Sequence, residues 1–511
     1  MSSVLSGTIL RNTFSGYTVF VTRVVISFLL TPFVIGQLGV ADYGLWLLVL
    51  SVTGYFNLMD FGFGQAITRY VAMKQATGGR EHLNQLASTF IVVYLGIGLL
   101  IAVLTVVLGL FLPRIFHIAE SQASAGQIAL LITGFAAAIN FPMSLFGGWL
   151  LGFQRYDLAN ATDWVSMLAN TVLTLVVLGL HLGLIALVIV AAVTGIMSGL
   201  ARVFMARWVD SGLEIRLHHF RREKIREITT YSVYFFIVST AVLICHGSDQ
   251  IVIGLFLPTT AVAIYGVNLR LVETSRNLAG QLSYVLLPVA AGLHALADTT
   301  RLQQVLMEGT RLSLALIVGL AVELIVLSPP FLRLWVGAQF LDGYVALVVL
   351  TIVAVAAIGQ DTAAKVLMVT NKQRVVAGVS VIDSATNLGL SLLLVQTLGI
   401  VGVALGTAIP FLLVASFNVV LACRSLKLPL RDFWNASLLP ALLPSVPSFL
   451  ILWGLSNWTY PSDWVSLLWQ GAAGGTAYAA VFLAIGVSNR DRQYLFAVVQ
   501  QRVGSLRVAK G

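Results

Sequence analysis

Residues 13–38 read TFSGYTVFVTRVVISFLLTPFVIGQL, an apolar run with one guanidinium, Arg23, near its middle. About 20 apolar residues span the hydrocarbon core of a bilayer. A charge at that depth costs roughly 2.5–3.5 kcal/mol on insertion scales, and by default it marks a substrate or ion pathway. Arg23 is therefore the first candidate site residue, and several later stretches repeat its pattern.

Of the 511 residues, 58% are hydrophobic and 10% charged, against about 25% charged in soluble domains. The longest polar stretch, about 210–226, is too short to build a core, so no soluble domain is expected. Residues 1–10 hold no basic n-region and no small-residue cleavage site, so no cleaved signal peptide is expected. The two cysteines, Cys245 and Cys423, both lie in apolar segments, which excludes a disulfide framework and a cysteine-based metal site. No nucleotide-binding motif, metal cluster or nucleophile–base pair stands out. The expectation is a protein without cofactor or metal, and not an enzyme.

Fourteen apolar segments are long enough to cross: 13–38, 43–71, 85–112, 125–152, 156–180, 185–207, 228–257, 261–292, 306–328, 343–370, 374–398, 400–423, 436–455 and 464–487. Of the 30 Lys and Arg residues, 22 fall on one side of this arrangement. Only Arg114 and Arg333 fall on the other, and six lie inside segments. By the positive-inside rule both termini are cytoplasmic. The net charge of +9 is thus topology, not a nucleic-acid-binding patch. The fold class expected is all-α: a polytopic membrane protein with two six-helix lobes around a central cavity and two further helices. Its divisions are an N-lobe at 1–209, a basic cytoplasmic linker at 210–227, a C-lobe at 228–423, the last helix pair at 424–487 and a basic tail at 488–511. The tail, from Arg490, spaces its apolar residues as a helix lying on an anionic leaflet would, or is simply disordered.

Each half opens alike. Val34-Ile35-Gly36 precedes a short turn and Tyr43-Gly44, and Val252-Ile253-Gly254 precedes a short turn and Tyr265-Gly266. With six segments in each half, such repeats are parallel and related by an axis along the membrane normal. The external loops are very short, leaving no room for an extramembrane catalytic domain.

Leu30-Thr31-Pro32, the turn Leu38-Gly39-Val40-Ala41-Asp42-Tyr43-Gly44, and Asp60-Phe61-Gly62 followed by Arg69-Tyr70 resemble the polysaccharide-transporter family of the multidrug/oligosaccharidyl-lipid/polysaccharide (MOP) flippase superfamily. The motifs cover about the first 75 residues, and the two-times-six arrangement extends the likeness to the whole chain as topology. The resemblance implies two lobes that open alternately to cytoplasm and periplasm. Their cargo would be a sugar chain on polyprenyl pyrophosphate, moved across the bacterial inner membrane for O-antigen, exopolysaccharide or capsule synthesis. It also implies partners: the lipid-linked oligosaccharide, the bilayer, H+ or Na+ as coupling ion, and polysaccharide polymerase or assembly proteins, with no nucleic acid. A related lipid II flippase has an arginine in its first helix within a cationic cavity, and by resemblance Arg23 fits that position.

For such a cargo, cations must replace water around the phosphates, and arginine does so with a directional fork. Arg23, Arg270 and Arg276 are the leading ligands, with Arg69 and Lys365 placed nearer the cytoplasmic face to guide the headgroup. Asp60, Asp249, Glu273, Asp361, Asp383 and His246 are candidates for ion coupling or for charge pairing. Any one of these pairings, such as Asp361 with Lys365, reads equally well as a structural salt bridge, since buried charges need partners regardless. Arg202 and Arg207 read as snorkelling residues at a helix end, Glu323 as interfacial, and Gly195 to Gly199 and Gly471 with Gly475 as close-packing surfaces. Three other functions compete. A MATE-like exporter of cationic drugs would favour an acidic, aromatic cavity. A membrane polymerase, ligase or glycosyltransferase would need a larger external loop. A scaffold would leave the buried charges unexplained.

Overall fold

Where no water reaches the backbone, each N–H and C=O must be satisfied within its own segment, and the chain answers with helices. The structure is a computed structural model that describes residues 2–487 except 78 and 285, and no strand occurs among them. The tail at 488–511 lies outside the described residues. By length and composition ten helices are able to cross a membrane, or eleven if one bent pair counts as a span. The chain forms two compact units: unit 1 runs to Gly266 and includes Ser391–Val403, and unit 2 holds Val267–Leu390 and the described residues from Ala404 onward.

In unit 1, α1 (Ser2–Leu38) and α2 (Val40–Gly54) lead into a 3-10 turn, Tyr55–Asp60. Phe61 and Gly62 then take left-handed φ values of 50° and 76°. The chain resumes as α3 (Phe63–Thr77) after a bend of 43°. Glycine adopts that conformation freely, which explains the Asp60-Phe61-Gly62 motif in part. Asp60 explains the remainder: its Oδ2 accepts the Gly64 N–H at 3.1 Å, covering a free amide in the first turn of α3. The rest of unit 1 is α4 (Arg80–Ile115), α5 (Glu120–Gly152), α6 (Tyr156–Gly179), α7 (Gly183–Val209), α8 (Arg222–Phe256) and the first part of α9 (Thr259–Tyr284). An aromatic cluster packs edge-on beneath the bend, with Phe63 5.3 Å from Phe90 and Tyr94 5.2 Å from Phe141 between ring centres. The basic 210–221 stretch is fastened along α4: Glu214 N donates to Asn84 Oδ1, Arg216 N to Ser88 Oγ, and Arg221 N to Thr89 Oγ1.

The repeated Tyr-Gly pairs have a packing reason. A Cβ on Gly44 would overlap the Thr259 carbonyl oxygen, and one on Gly266 would crowd Leu47. Gly44 therefore sits where α2 meets the backbone of α9, and Gly266 where α9 receives the Leu47 side chain of α2.

Unit 2 contains the rest of α9, α10 (Leu286–Ala295), α11 (Thr299–Trp335), α12 (Tyr344–Val369) and most of α13 (Gln373–Ser425). At 53 residues α13 would be about 80 Å long if straight, far more than one crossing of about 30 Å needs. It breaks at Gly399, with φ 58° and ψ −137°, a conformation open essentially to glycine alone. The sequence divides two segments at this same residue. α14 (Leu430–Phe433), a π turn at Trp434–Leu438, α15 (Leu439–Leu442), α16 (Ser445–Trp458) and α17 (Trp464–Ile485) complete the unit. Trp434, Trp453, Trp458 and Trp464 all keep exposed side chains, as interface anchors do. The Glu323 carboxylate packs against Gly471 and Gly475 of α17, where side chains would crowd it.

Gly44→Ala should lower the unfolding free energy of the detergent-solubilised protein by about 1–3 kcal/mol, the range for overpacking. Gly36→Ala, where a Cβ meets nothing within 4 Å, should change thermal unfolding little.

Candidate functional site

Unit 1 encloses a polar cavity of about 670 Å³, within the usual range for ligand pockets of about 300–1,000 Å³. Six elements build its wall. α1 contributes Arg23. α2 and the 3-10 turn add Thr53, Asn57 and Asp60, and α5 adds Asn140 and Ser144. The face of α6 carrying Asp163, Ser166 and Asn170 turns inward, opposite Thr194, Ser198 and Arg202 of α7. The i, i+3, i+7 spacing on α6 accounts for its contribution. On α7 the glycines do more than bring helices together. A Cβ on Gly199 would lie 2.6 Å from Asn140 Oδ1 and 2.7 Å from Met143 Sδ, so its absence lets Asn140 sit between α5 and α7.

Three of the four charges in the wall have partners. The Asp163 carboxylate forms an ion pair with the Arg202 guanidinium. Asp60 Oδ1 accepts the Tyr94 hydroxyl at 2.6 Å while its Oδ2 holds Gly64 N–H. Asp60 thus pairs with dipoles rather than with an arginine of the first helix. Arg23 has an exposed side chain on the cavity wall and no hydrogen-bond or ion-pair partner among the described residues. Amides and hydroxyls supply the remaining polar surface, linked in places, as where Asn170 Nδ2 donates to Thr194 Oγ1 at 3.0 Å. The wall can therefore receive a many-hydroxyl ligand and offers one uncompensated fork to an anion.

The other expected residues are placed as follows. Arg69 is exposed on α3. Asp249 of α8 is 3% exposed and accepts the Tyr265 hydroxyl. The His246 side chain lies outside the described residues. In unit 2, Arg270, Glu273 and Arg276 share α9, with Glu273 in the field of both arginines. Asp361 and Lys365 form the i, i+4 ion pair at 2.7 Å, and Asp383 is buried on α13. Arg202 was missed. Its place near the end of an apolar segment suggests snorkelling, yet it turns inward to Asp163 on the neighbouring helix. Its spacing three and four residues after Gly199 and Ser198 was the available signal.

A polar, charge-bearing cavity thus lies within a unit that contains helices long and apolar enough to cross a membrane. Residues 9–294 match the family described as polysaccharide biosynthesis protein. The chain belongs to that family, in keeping with the resemblance of its amino-terminal motifs to polysaccharide transporters. It is 20% identical over 494 residues to EpsK, an uncharacterized membrane protein of Bacillus subtilis (strain 168), covering 96% of this chain and 98% of that one. Among solved structures it is similar to the lipid II flippase MurJ in an inward closed conformation, with TM-score 0.72 and 17% identity over 93% of this chain and 98% of that one. An inward-facing multidrug-resistance MATE transporter gives TM-score 0.59 and 14% identity, over 79% of this chain and 98% of the other. A MOP superfamily transporter from Pyrococcus furiosus gives 0.56 and 15%, over 82% and 95%. These likenesses confirm the expected fold class.

Tyr94→Phe keeps the ring in the aromatic cluster but removes one of the two donors to Asp60. A hydrogen bond to a charged group contributes about 1.5–3 kcal/mol, and the variant should lose stability on that scale in thermal unfolding.

Proposed function

We propose that the protein is a flippase that moves a polyprenyl-pyrophosphate-linked oligosaccharide across the bacterial inner membrane by alternating access. The cargo is an intermediate of O-antigen, exopolysaccharide or capsule synthesis. It is a transporter and not an enzyme, spans the membrane many times and keeps both termini in the cytoplasm. The observation that carries this is Arg23, a guanidinium without a partner among the described residues, on a wall whose other polar groups are amides, hydroxyls and partnered charges. A sugar pyrophosphate presents the matching groups: phosphate oxygens for the fork and hydroxyls for the asparagines and serines. Similarity in fold to a lipid II flippase and membership of a polysaccharide biosynthesis family support the same cargo class.

In this scheme Arg270 and Arg276 are the further pyrophosphate ligands, and Arg69 and Lys365 guide the headgroup from the cytoplasmic face. Asp249 and Asp383, at 3% and 5% exposure, are the leading carriers of H+ or Na+. Glu273, Asp361 and His246 serve chiefly to pair charge, and Asp60 to hold the bend after the 3-10 turn. The two carboxylates in the cavity wall and the MATE-like fold favour a second possibility, export of organic cations.

Reconstituted in proteoliposomes, the wild type should translocate a polyprenyl-pyrophosphate oligosaccharide. Arg23→Ala should slow it at least tenfold with the fold intact, and Arg23→Lys should recover part of the rate, since lysine keeps the charge without the fork. Transport of organic cations but of no lipid-linked glycan, unaffected by Arg23→Ala, would overturn the flippase in favour of the exporter. Cysteines placed at Ser211 and at Thr260 should label from the cytoplasmic and periplasmic sides respectively. The reverse pattern would overturn the orientation.

A further inference from the structure

We propose that the basic end of unit 2 carries a second binding site, for a phosphate-ester headgroup, where three interhelical loops converge. A cavity of about 520 Å³ lies there, lined by His294 at the end of α10, Thr299 in the first turn of α11, Thr370 and Lys372 between α12 and α13, and Arg424 and Ser425 at the end of α13. The lining holds an ammonium, a guanidinium, an imidazole and three hydroxyls, and no carboxylate. It shares no residue with the cavity of unit 1.

None of the His294, Lys372 and Arg424 side chains has a hydrogen-bond or ion-pair partner among the described residues. The acid at the start of α11, Asp298, is already engaged: it accepts the Arg301 N–H at 3.0 Å and pairs with the Arg301 guanidinium at 3.4 Å. Cations gathered without an acid repel one another, and a bound anion removes that repulsion.

The backbone around the cavity is fixed before any ligand arrives. Gln303 Nε2 donates to the Leu426 carbonyl at 2.8 Å, tying α11 to the end of α13. Lys372 N closes onto Leu367 O at 2.9 Å, and Leu428 N onto Cys423 O at 2.8 Å. Beneath lie Leu302 and Leu426, 2% and 3% exposed, within a buried apolar cluster. A rigid apolar floor under a cationic rim suits a small phosphorylated group, because little ordering remains to oppose binding. The loops concerned lie on the side that the Lys and Arg distribution places in the cytoplasm, where anionic lipid headgroups and soluble phosphate esters are both at hand. The shared chemistry is the phosphate ester, and experiment separates the two sources. The proposal does not depend on flippase activity, because its test reads binding and not transport.

The full chain carrying Arg23→Ala, so that the unit 1 cavity does not contribute, is compared with the same chain bearing also Lys372→Ser and Arg424→Ser. Both substitutions are on exposed side chains, and unchanged thermal unfolding confirms the fold. Inorganic pyrophosphate affinity is measured by calorimetry. Phosphatidylglycerol retention against phosphatidylcholine is measured by native mass spectrometry from mixed nanodiscs. The expected result is a loss of at least tenfold for one of the probes, with Arg424→Lys close to the parent. Loss confined to phosphatidylglycerol assigns a bilayer headgroup, and loss confined to pyrophosphate assigns a soluble ester. Equal binding of both probes by parent and double variant, or no binding by the parent, overturns the site.

Discussion

The carboxylate of Asp60 holds together what unit 1 depends on. A bilayer forbids open backbone, so a helix that must bend there needs a substitute donor or acceptor at the break. Asp60 accepts the Gly64 amide just beyond the left-handed pair Phe61-Gly62 and, with its other oxygen, the Tyr94 hydroxyl of α4. The bend, the aromatic cluster beneath it and one wall of the cavity are therefore fixed by a single side chain. That role also explains why a carboxylate is tolerated at this depth. Its charge is spread over two strong donors, and no arginine is spent neutralising it.

The remaining charges of the cavity follow from the same economy. A guanidinium inside a membrane segment normally takes a partner, because an unpaired one is expensive. Arg202 takes Asp163, and the pair becomes a polar but neutral patch. Arg23 takes none among the described residues and remains in contact with the cavity. Two guanidiniums and two carboxylates face the cavity in formal charge balance, yet they are unequal in what they can offer a ligand. Selectivity for an anion there would come from one available fork, not from a broad positive potential.

Much of this was legible along the chain. Apolar length marked where segments run and put a division at Gly399, where few residues other than glycine take the dihedrals cheaply, but it ran one segment, 43–71, straight through the Phe61-Gly62 bend. The i, i+4 pair of Asp361 with Lys365 needed only helical periodicity. What stayed hidden depends on which helix lies beside which. Arg202 reads as a surface residue until α6 is set against α7, and the packing of Glu323 against the glycines of α17 shows only once α11 and α17 are set side by side. The cavity in unit 2 was hidden for the same reason: Lys372 and Arg424 were counted as topology signals, and only folding shows them converging with His294.

That double use of basic residues bears on how the positive-inside pattern should be read in such a protein. Orientation requires only that Lys and Arg lie on one side. It does not require them to cluster, and dispersed cations on separate loops would repel less and hydrate better. In unit 2 they are instead drawn over an apolar floor, with hydroxyls interleaved and the acid at the start of α11 engaged by Arg301. A residue retained for orientation alone would be free to point into bulk water. Holding Lys372 and Arg424 around one cavity beside His294, with no partner among the described residues, is favourable chiefly when an anion shares the space, so the arrangement itself argues for a ligand that topology does not demand.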